Sequence, residues 1–525
     1  MGNKRPRIFP PAFLISLIIL LGIVLRLLHF DLMEFKADEV GVIVLTKYWI
    51  GEGIPRFGQL STSGIPFPPG LIYLLYPLVF FTSSPLLIGL GLCVLSIAAI
   101  WLIYLLGVTL GSPAAGLWAA AFMAAHPWLI LYSRKIWEPS PLPFFSILIL
   151  IVVASCTLHS RHRSIFWAGP LLVMTWQFHY SAYAVAFFFC IWFSAAAFKK
   201  RINWSACLAG FLVGIVLLLP YFSYLARNDF VDLKNSYRFA GRGKSAPARS
   251  FIYIVAMYLK TAWAGGFGYP LARDPLPISR TPLGAAKPWL QILAALGTAL
   301  IIFLSALSVF LRLFRRGMKS SLPSFIFWLL LFIALPGAVY LIKGIIPPPH
   351  YFLVSIPAVL MLAGIGASSS ISLSLKNIKG KKCFFLPGSL AGAAVVVSGT
   401  VIWLSLIQYI AGTGGTAGDY GLAFRFQKEA AQIISERKIN PRQVDAALTR
   451  DEGVGIFYLL VYRFKTSPPY SVTSARLIDS LLFPEDECRE NEETISIGPS
   501  GPMKICVSSD NNGKSTEPDF GDVDE

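Results

Sequence analysis

Nine carboxylates lie in the first 410 residues: Asp31, Glu34, Asp38, Glu39, Glu52, Glu138, Asp229, Asp232 and Asp274. An accessible carboxylate can take a proton from a hydroxyl group or help hold a divalent cation. Asp38 and Glu39 are adjacent and precede an amphipathic stretch with Val40, Ile43, Val44, Lys47 and Tyr48, which suits an interfacial helix. Asp38 therefore stands where such a helix begins, and a capping role is the competing explanation. The run Tyr132-Ser133-Arg134-Lys135-Ile136-Trp137-Glu138-Pro139 sets another carboxylate beside two cations and an indole. An ordinary interfacial loop with an aromatic anchor has the same composition. Asp38 and Glu138 together are a candidate pair of oxygen ligands for one divalent cation. Trp176-Gln177-Phe178-His179-Tyr180 and Pro347-Pro348-Pro349-His350-Tyr351 each offer an imidazole. Either can meet a metal, a phosphate or a sugar hydroxyl, or be a satisfied interfacial histidine.

The elements that must position these residues are membrane helices. The chain has 525 residues, 55% hydrophobic and 14% charged, against about 25% charged in soluble domains. Apolar segments long enough to cross a bilayer fall near 10–30, 84–107, 112–131, 140–158, 164–180, 181–198, 203–225, 287–311, 322–342, 351–372 and 384–410. The first follows Lys4, Arg5 and Arg7 and reads as an uncleaved membrane helix. A shorter run, 66–82, opens with Pro66, Pro68 and Pro69. Positive charge decides how to treat it. With 66–82 not crossing, five clusters share one side: Lys4/Arg5/Arg7, Arg161/Arg163, Lys199-Lys200-Arg201, Arg312/Arg315/Arg316/Lys319 and Lys376/Lys379/Lys381/Lys382. Short basic loops stay cytoplasmic, so the expected topology has about eleven crossings. The N-terminus is then inside and the C-terminal region extracytoplasmic.

All nine acids then fall in outward-facing loops, and Arg26 lies inside an expected span, close enough to its outer end to snorkel. Transporters usually carry ionisable groups at the bilayer midplane and internal repeats. Neither is evident here. The polar chemistry is gathered on one face, as suits an enzyme acting on a membrane-borne substrate. The outer loop 226–286 is basic, with Arg227, Lys234, Arg238 and Arg242 among its cations. It suits a lipid phosphate or simply anionic headgroups.

Charge divides the chain into domains. Residues 411–525 hold 12 Lys/Arg and 19 Asp/Glu, whereas 1–410 hold 33 and nine. The expectation is a membrane domain over 1–410, a small extracytoplasmic α/β domain over 411–508, and an acidic disordered tail over 509–525. Residues 419–438 suit an amphipathic helix. Cys488 and Cys506 can pair if the domain lies outside the cytoplasm.

With these residues in place, the sequence resembles the GT-C glycosyltransferases. The likeness is to the protein O-mannosyltransferase-like group that includes the lipid A aminoarabinose transferases. It is carried by Ala37-Asp38-Glu39, Gly64-Ile65-Pro66-Phe67-Pro68-Pro69, Tyr132-Ser133-Arg134 with an acid shortly after, Gln177-x-His179, and His350-Tyr351-Phe352-Leu353 leading to Pro357, in order over about 1–370. The resemblance implies an all-α polytopic fold and transfer of a sugar, with inversion, from a polyprenyl-phosphate carrier. The acceptor is a glycan, lipid or protein at the outer face of a bacterial-type inner membrane, and no nucleic acid is involved. It places the catalytic role on Asp38, with Glu39 next to it. Glu138, Arg134, Gln177, His179, Tyr180, His350 and Tyr351 become candidate substrate contacts. A divalent metal is the one cofactor implied. This chain departs from the lipid A transferases at Phe67, where they carry a metal-site Glu. Rival classes are a lipid-sugar flippase and a non-catalytic assembly protein.

Overall fold

Proline punctuates the membrane helices of the computed structural model. The structure describes residues 10–61, 65–230, 234, 251–254, scattered positions from 289 to 303, 321–343, 347–368, 387–416, 420–439, 444–447, 455–464, 474–479, 488, 492–497 and 503–508. Most of the expected span 287–311 and of the loop 226–286, with the Lys376–Lys382 cluster and the tail 509–525, lie outside the described residues.

The membrane-domain helices are α1 (Pro11–Leu27), α2 (Ala37–Glu52), α3 (Gly70–Phe81), α4 (Pro85–Thr109), α5 (Pro113–Ala125), α6 (Pro127–Ser133) and α7 (Leu142–Leu158). They continue with α8 (Ala168–Phe178), α9 (Tyr183–Phe198), α10 (Trp204–Arg227), α11 (Ser321–Lys343), α12 (Ile356–Ala367) and α13 (Pro387–Thr413). Proline occupies the first turn of α1, α4, α5 and α6, where its missing N–H costs no helical hydrogen bond. The Asn203 side chain caps α10 by accepting the Ala206 N–H at 2.9 Å.

Five of the described helical stretches are long and apolar enough to cross a membrane: Pro85–Thr109, Tyr180–Phe198, Trp204–Arg227, Phe325–Ile342 and Gly388–Thr413. Shorter apolar helices accompany them, and the whole is a polytopic membrane domain. Helix α3 has twelve residues and is about 18 Å long at ~1.5 Å per residue, short of the ~30 Å hydrocarbon core. The expected crossing 351–372 is discontinuous, formed by a 3-10 helix at Pro349–Phe352 and then α12.

One expected apolar segment is bent, and one expectation needs correction. The span 112–131 is not straight, because α5 and α6 bend by 62° at His126-Pro127. Pro127 cannot donate to the preceding turn, so the ladder breaks there. Nor does Arg26 snorkel. It is fully buried and donates to Met123 O at 3.1 Å, Ala124 O at 3.0 Å and Ser96 Oγ at 3.0 Å. The break in α5 frees those carbonyls, and the arginine of α1 satisfies them.

Close helix packing relies on glycine. A Cβ on Gly107 of α4 would sit 2.3 Å from Gly116 Cα of α5, and one on Gly210 of α10 would sit 1.9 Å from Phe166 O. Small residues let membrane helices approach in this way.

The chain divides into two compact units. The second unites Glu34–Val40 with the described residues of Tyr409–Glu525. Beyond α13 it contains a hairpin of β1 (Gly415–Thr416) and β2 (Gly421–Leu422), then α14 (Phe424–Glu436). Helix α14 is amphipathic, burying Phe424, Gln427, Ala431 and Ile434 along one face and exposing Lys428, Gln432 and Glu436. A four-stranded sheet follows, in the order β3 (Val444–Ala447), β4 (Ser474–Asp479), β6 (Met503–Ser508), β5 (Glu492–Ile497). Strands β3 and β4 are parallel, and β6 is antiparallel to both of its neighbours, with Ile505 opposite Leu477 and Ile495. Cys488 and Cys506 form a disulfide with Cα atoms 5.3 Å apart.

Candidate functional site

The acidic pair sits in the first turn of α2, within the second unit. Val40 N–H donates to Lys36 O at 3.0 Å, which makes Lys36 the residue that opens the helix. The Lys36 N–H donates back to Glu39 Oε2 at 2.9 Å. This is the acidic half of a capping box. Glu39 is fully buried, whereas Asp38 is exposed. Lys36 Nζ also pairs with Glu34 Oε1 at 2.7 Å. The two adjacent acids thus differ in kind. Glu39 fixes the helix start, and Asp38 presents its carboxylate to solvent.

The other candidates lie in the first unit. Arg134 follows α6, and its guanidinium donates to Leu28 O at 3.2 Å and to His29 O. The same group lies 5.4 Å from the Phe30 ring centroid and 5.3 Å from that of Trp403. It holds the carbonyls that directly follow α1, as Arg26 of α1 caps α5. These two buried arginines clasp α1 to the broken helix in reciprocal fashion. Gln177 is likewise engaged in packing. It is fully buried, donates to Leu217 O of α10 at 3.3 Å, and lies against Gly70, where a Cβ would come within 2.7 Å of its own Cβ.

His179, Tyr180, His350 and Tyr351 do come together. The His179 ring lies 4.7 Å from Tyr351 and 5.5 Å from His350, centroid to centroid. Trp137 reaches His350 at 4.4 Å, and Lys135 Nζ lies 4.6 Å above the Trp137 ring. Phe67 stacks on both His179 and Tyr180, at 6.0 and 5.0 Å. The Tyr180 hydroxyl donates to Pro66 O at 3.4 Å. Glu138, in the same loop as Lys135, is buried. The importance of Lys135, Trp137 and Phe67 is not evident from residue type alone, although the indole between two charges was a signal.

His179 has a defined tautomer. Its Nδ1 accepts the Ser181 backbone N–H at 3.1 Å and lies 3.0 Å from Ser181 Oγ. A backbone N–H can only donate, so the proton of the neutral ring sits on Nε2. Burial pushes the His179 pKa down to about 3. His350 is also held well below its ordinary value, by burial first and then by His179 and the Lys135 ammonium. Both imidazoles are neutral at pH 7, and His179 offers an N–H rather than a lone pair.

That arrangement does not fit a metal ligated by His179. A ligating histidine normally donates its other nitrogen to an acceptor, whereas Nδ1 of His179 accepts. The neighbouring position is the Phe67 ring rather than a carboxylate. Among the described residues no group of three or more His, Cys, Asp or Glu could hold a metal ion.

No protein-family model and no curated protein sequence matches the chain. Solved structures do match. ArnT from Cupriavidus metallidurans in the apo state aligns with a TM-score of 0.54 at 10% identity, covering 94% of this chain and 98% of that one. The same protein bound to undecaprenyl phosphate aligns with a TM-score of 0.51 at 11% identity, covering 94% and 97%. The Archaeoglobus fulgidus oligosaccharyltransferase in its apo form gives 0.45 at 14% identity, covering 89% and 62%. The two higher matches span nearly the whole of both chains, and this chain has the fold of the GT-C membrane glycosyltransferases.

Proposed function

We propose that the protein is an inverting membrane glycosyltransferase that uses a polyprenyl-phosphate-linked sugar, with Asp38 as its base. The observation that carries this reading is the exposed Asp38 beside the buried, helix-capping Glu39. The GT-C fold supports it, as does the undecaprenyl phosphate bound to the similar ArnT structure. In the proposed step the acceptor oxygen attacks the anomeric carbon while Asp38 takes the acceptor proton. The carbon–oxygen bond to phosphate breaks, and the polyprenyl phosphate leaves with the electron pair. A phosphate is a competent leaving group, so the remaining need is stabilisation of its developing charge. The Lys135 ammonium and the Nε2–H of His179 are the groups we assign to that task. His350, Tyr351, Tyr180 and Glu138 are assigned to orienting the sugar. Arg134 and Gln177 act through helix packing.

We place the C-terminal domain outside the cytoplasm of a plasma-type membrane. Its disulfide supports that side, since disulfides persist in oxidising compartments. The decisive experiment isolates the lipid-linked sugar that accumulates in cells lacking the protein and supplies it, with membranes of those cells as the source of unmodified acceptor, to purified protein in proteoliposomes. Release of polyprenyl phosphate and its loss in Asp38→Asn are expected. Movement of the lipid across the bilayer without bond cleavage would instead identify a flippase.

A further inference from the structure

The segment that bears the acidic pair is held by residues that come almost four hundred positions later. Gln427, on the buried face of α14, donates from Nε2 to Phe35 O and to Leu422 O, each at 2.7 Å. The Phe35 ring meets Phe424 edge-on at 5.4 Å and Tyr458 at 5.8 Å. Phe35 and Gln427 are fully buried, and Phe424 and Tyr458 nearly so. Gly455 closes the socket. A Cβ there would lie 2.2 Å from Gln427 Oε1 and 3.2 Å from both the Phe35 ring and Phe35 O. Only a glycine leaves room for the glutamine and the phenylalanine together.

The next residue, Lys36, opens α2 and is tied to Glu39. The carbonyl of Phe35 is thus fixed by the C-terminal domain and the amide of Lys36 by Glu39. Those two bonds lie on the two sides of one peptide unit, which is planar. The direction in which the helix starts follows from them, and Asp38 is two residues into that turn. The buried face of an amphipathic helix is ordinarily apolar. A fully buried glutamine on it is a specific device, because its amide satisfies two carbonyls that no hydrocarbon side chain could serve.

We infer that the C-terminal domain is a positioning element for Asp38, acting through Gln427 and the Phe424–Gly455–Tyr458 socket on Phe35. This inference rests on the proposed role of Asp38 as base. Gln427 is a positioning residue and touches no substrate. The domain is then required for turnover itself, whatever further part it has in choosing an acceptor.

The test uses full-length protein in proteoliposomes, the accumulated lipid-linked sugar as donor, membranes of cells lacking the protein as the source of acceptor, and two variants of the socket, Gln427→Met and Gly455→Ala. Lys428→Met, on the exposed face of α14, is the control. Hydrogen exchange is read at the amides of residues 36–40, with β4 and β6 and the Cys488–Cys506 disulfide reporting that the domain is folded. Both socket variants are expected to speed exchange at 36–40 by about tenfold or more. They are also expected to lower kcat by about ten- to hundredfold while donor KM stays within about twofold, because misplacing a reacting group costs rate rather than binding. The control changes neither. Unchanged exchange at 36–40 in both variants overturns the inference, and so does faster exchange with unchanged kcat. If a variant loses protection in β4 and β6, Phe35→Ala gives the same reading from the other side of the socket, with β4 and β6 read again as the check on folding. Failure of the catalytic reading is separately visible. Full transfer by Asp38→Asn removes Asp38 as base, whereas the exchange result reports the holding of the turn alone.

Discussion

The turn at residues 34–40 and the loop at 134–138 have similar sequences in one respect: each packs several charges into a few residues beside aromatic rings. Their structures use those charges differently. In the turn, Glu34, Lys36 and Glu39 are paired or capping, and Asp38 is exposed. In the loop, Arg134, Lys135 and Glu138 are all buried, with Arg134 capping α1 and Lys135 lying over Trp137. Neighbouring charges are therefore not interchangeable candidates. A charge whose hydrogen bonds complete a helix end holds structure. A charge left facing solvent or a ligand is free to do chemistry.

The comparison can be broken most forcefully at the acidic pair. Asp38→Asn is expected to lower transfer by roughly 10²–10⁴-fold, measured as polyprenyl phosphate released per enzyme. Retention of the normal rate would end the assignment. Arg134→Met is the counterpart in the loop. It leaves the Leu28 and His29 carbonyls without their charged donor and is expected to cost about 1.5–3 kcal/mol of stability. A thermal-unfolding series in detergent reads that loss, and a change confined to donor KM would instead make Arg134 a substrate contact.

Histidine sharpens the contrast through pH. The folded His179 pKa of about 3 lies below the ordinary value of 6.5. Its contribution to stability is thus present above about pH 6.5 and is lost as pH falls toward 3. At pH 5 the loss is of the order of 2 kcal/mol. Unfolding temperatures of the protein and of His179→Gln, compared at pH 7 and pH 5, should converge on the acid side. Equal pH slopes in the two proteins would contradict a buried neutral imidazole. Next in size is Glu39→Gln, which keeps a side-chain acceptor for the Lys36 amide and is expected to cost about 1 kcal/mol or less. Its transfer rate should stay far above that of Asp38→Asn, and equal losses would erase the distinction between the two acids. The smallest effect is expected from chelation. With Phe67 beside His179 and Nδ1 already accepting, EDTA should leave transfer within about twofold, a result checked by adding back Mg²⁺, Mn²⁺ or Zn²⁺.

Much of this was legible in the sequence, where short-range rules apply. Apolar run length gave the long spans, and the 3.6-residue pattern of 419–438 gave α14 at Phe424–Glu436. The position of Asp38 before an amphipathic run placed it in a first helical turn. The bend at His126-Pro127 was also readable, since a proline inside the run 112–131 breaks its ladder, but hydropathy alone passes over it. The destinations of Arg26 and Arg134 were not readable. Each goes to backbone carbonyls on another helix about a hundred residues away, and carbonyls carry no sequence signature. Gln427 was hidden for the same reason. Its partner is the backbone of Phe35, and the helical pattern is equally good with any residue at 427.

The bond from Gln427 to Phe35 spans 392 positions of chain. At about 5–20 residues per second of synthesis, the first loop leaves the ribosome roughly 20–80 s before its socket exists. The acidic turn is therefore completed only after α14 has been made, and a half-made protein in the membrane carries Asp38 without the frame that aims it. On the functional reading proposed above, competence arrives only after Gln427 and Tyr458 have been made, and a shorter nascent chain does not carry a positioned base.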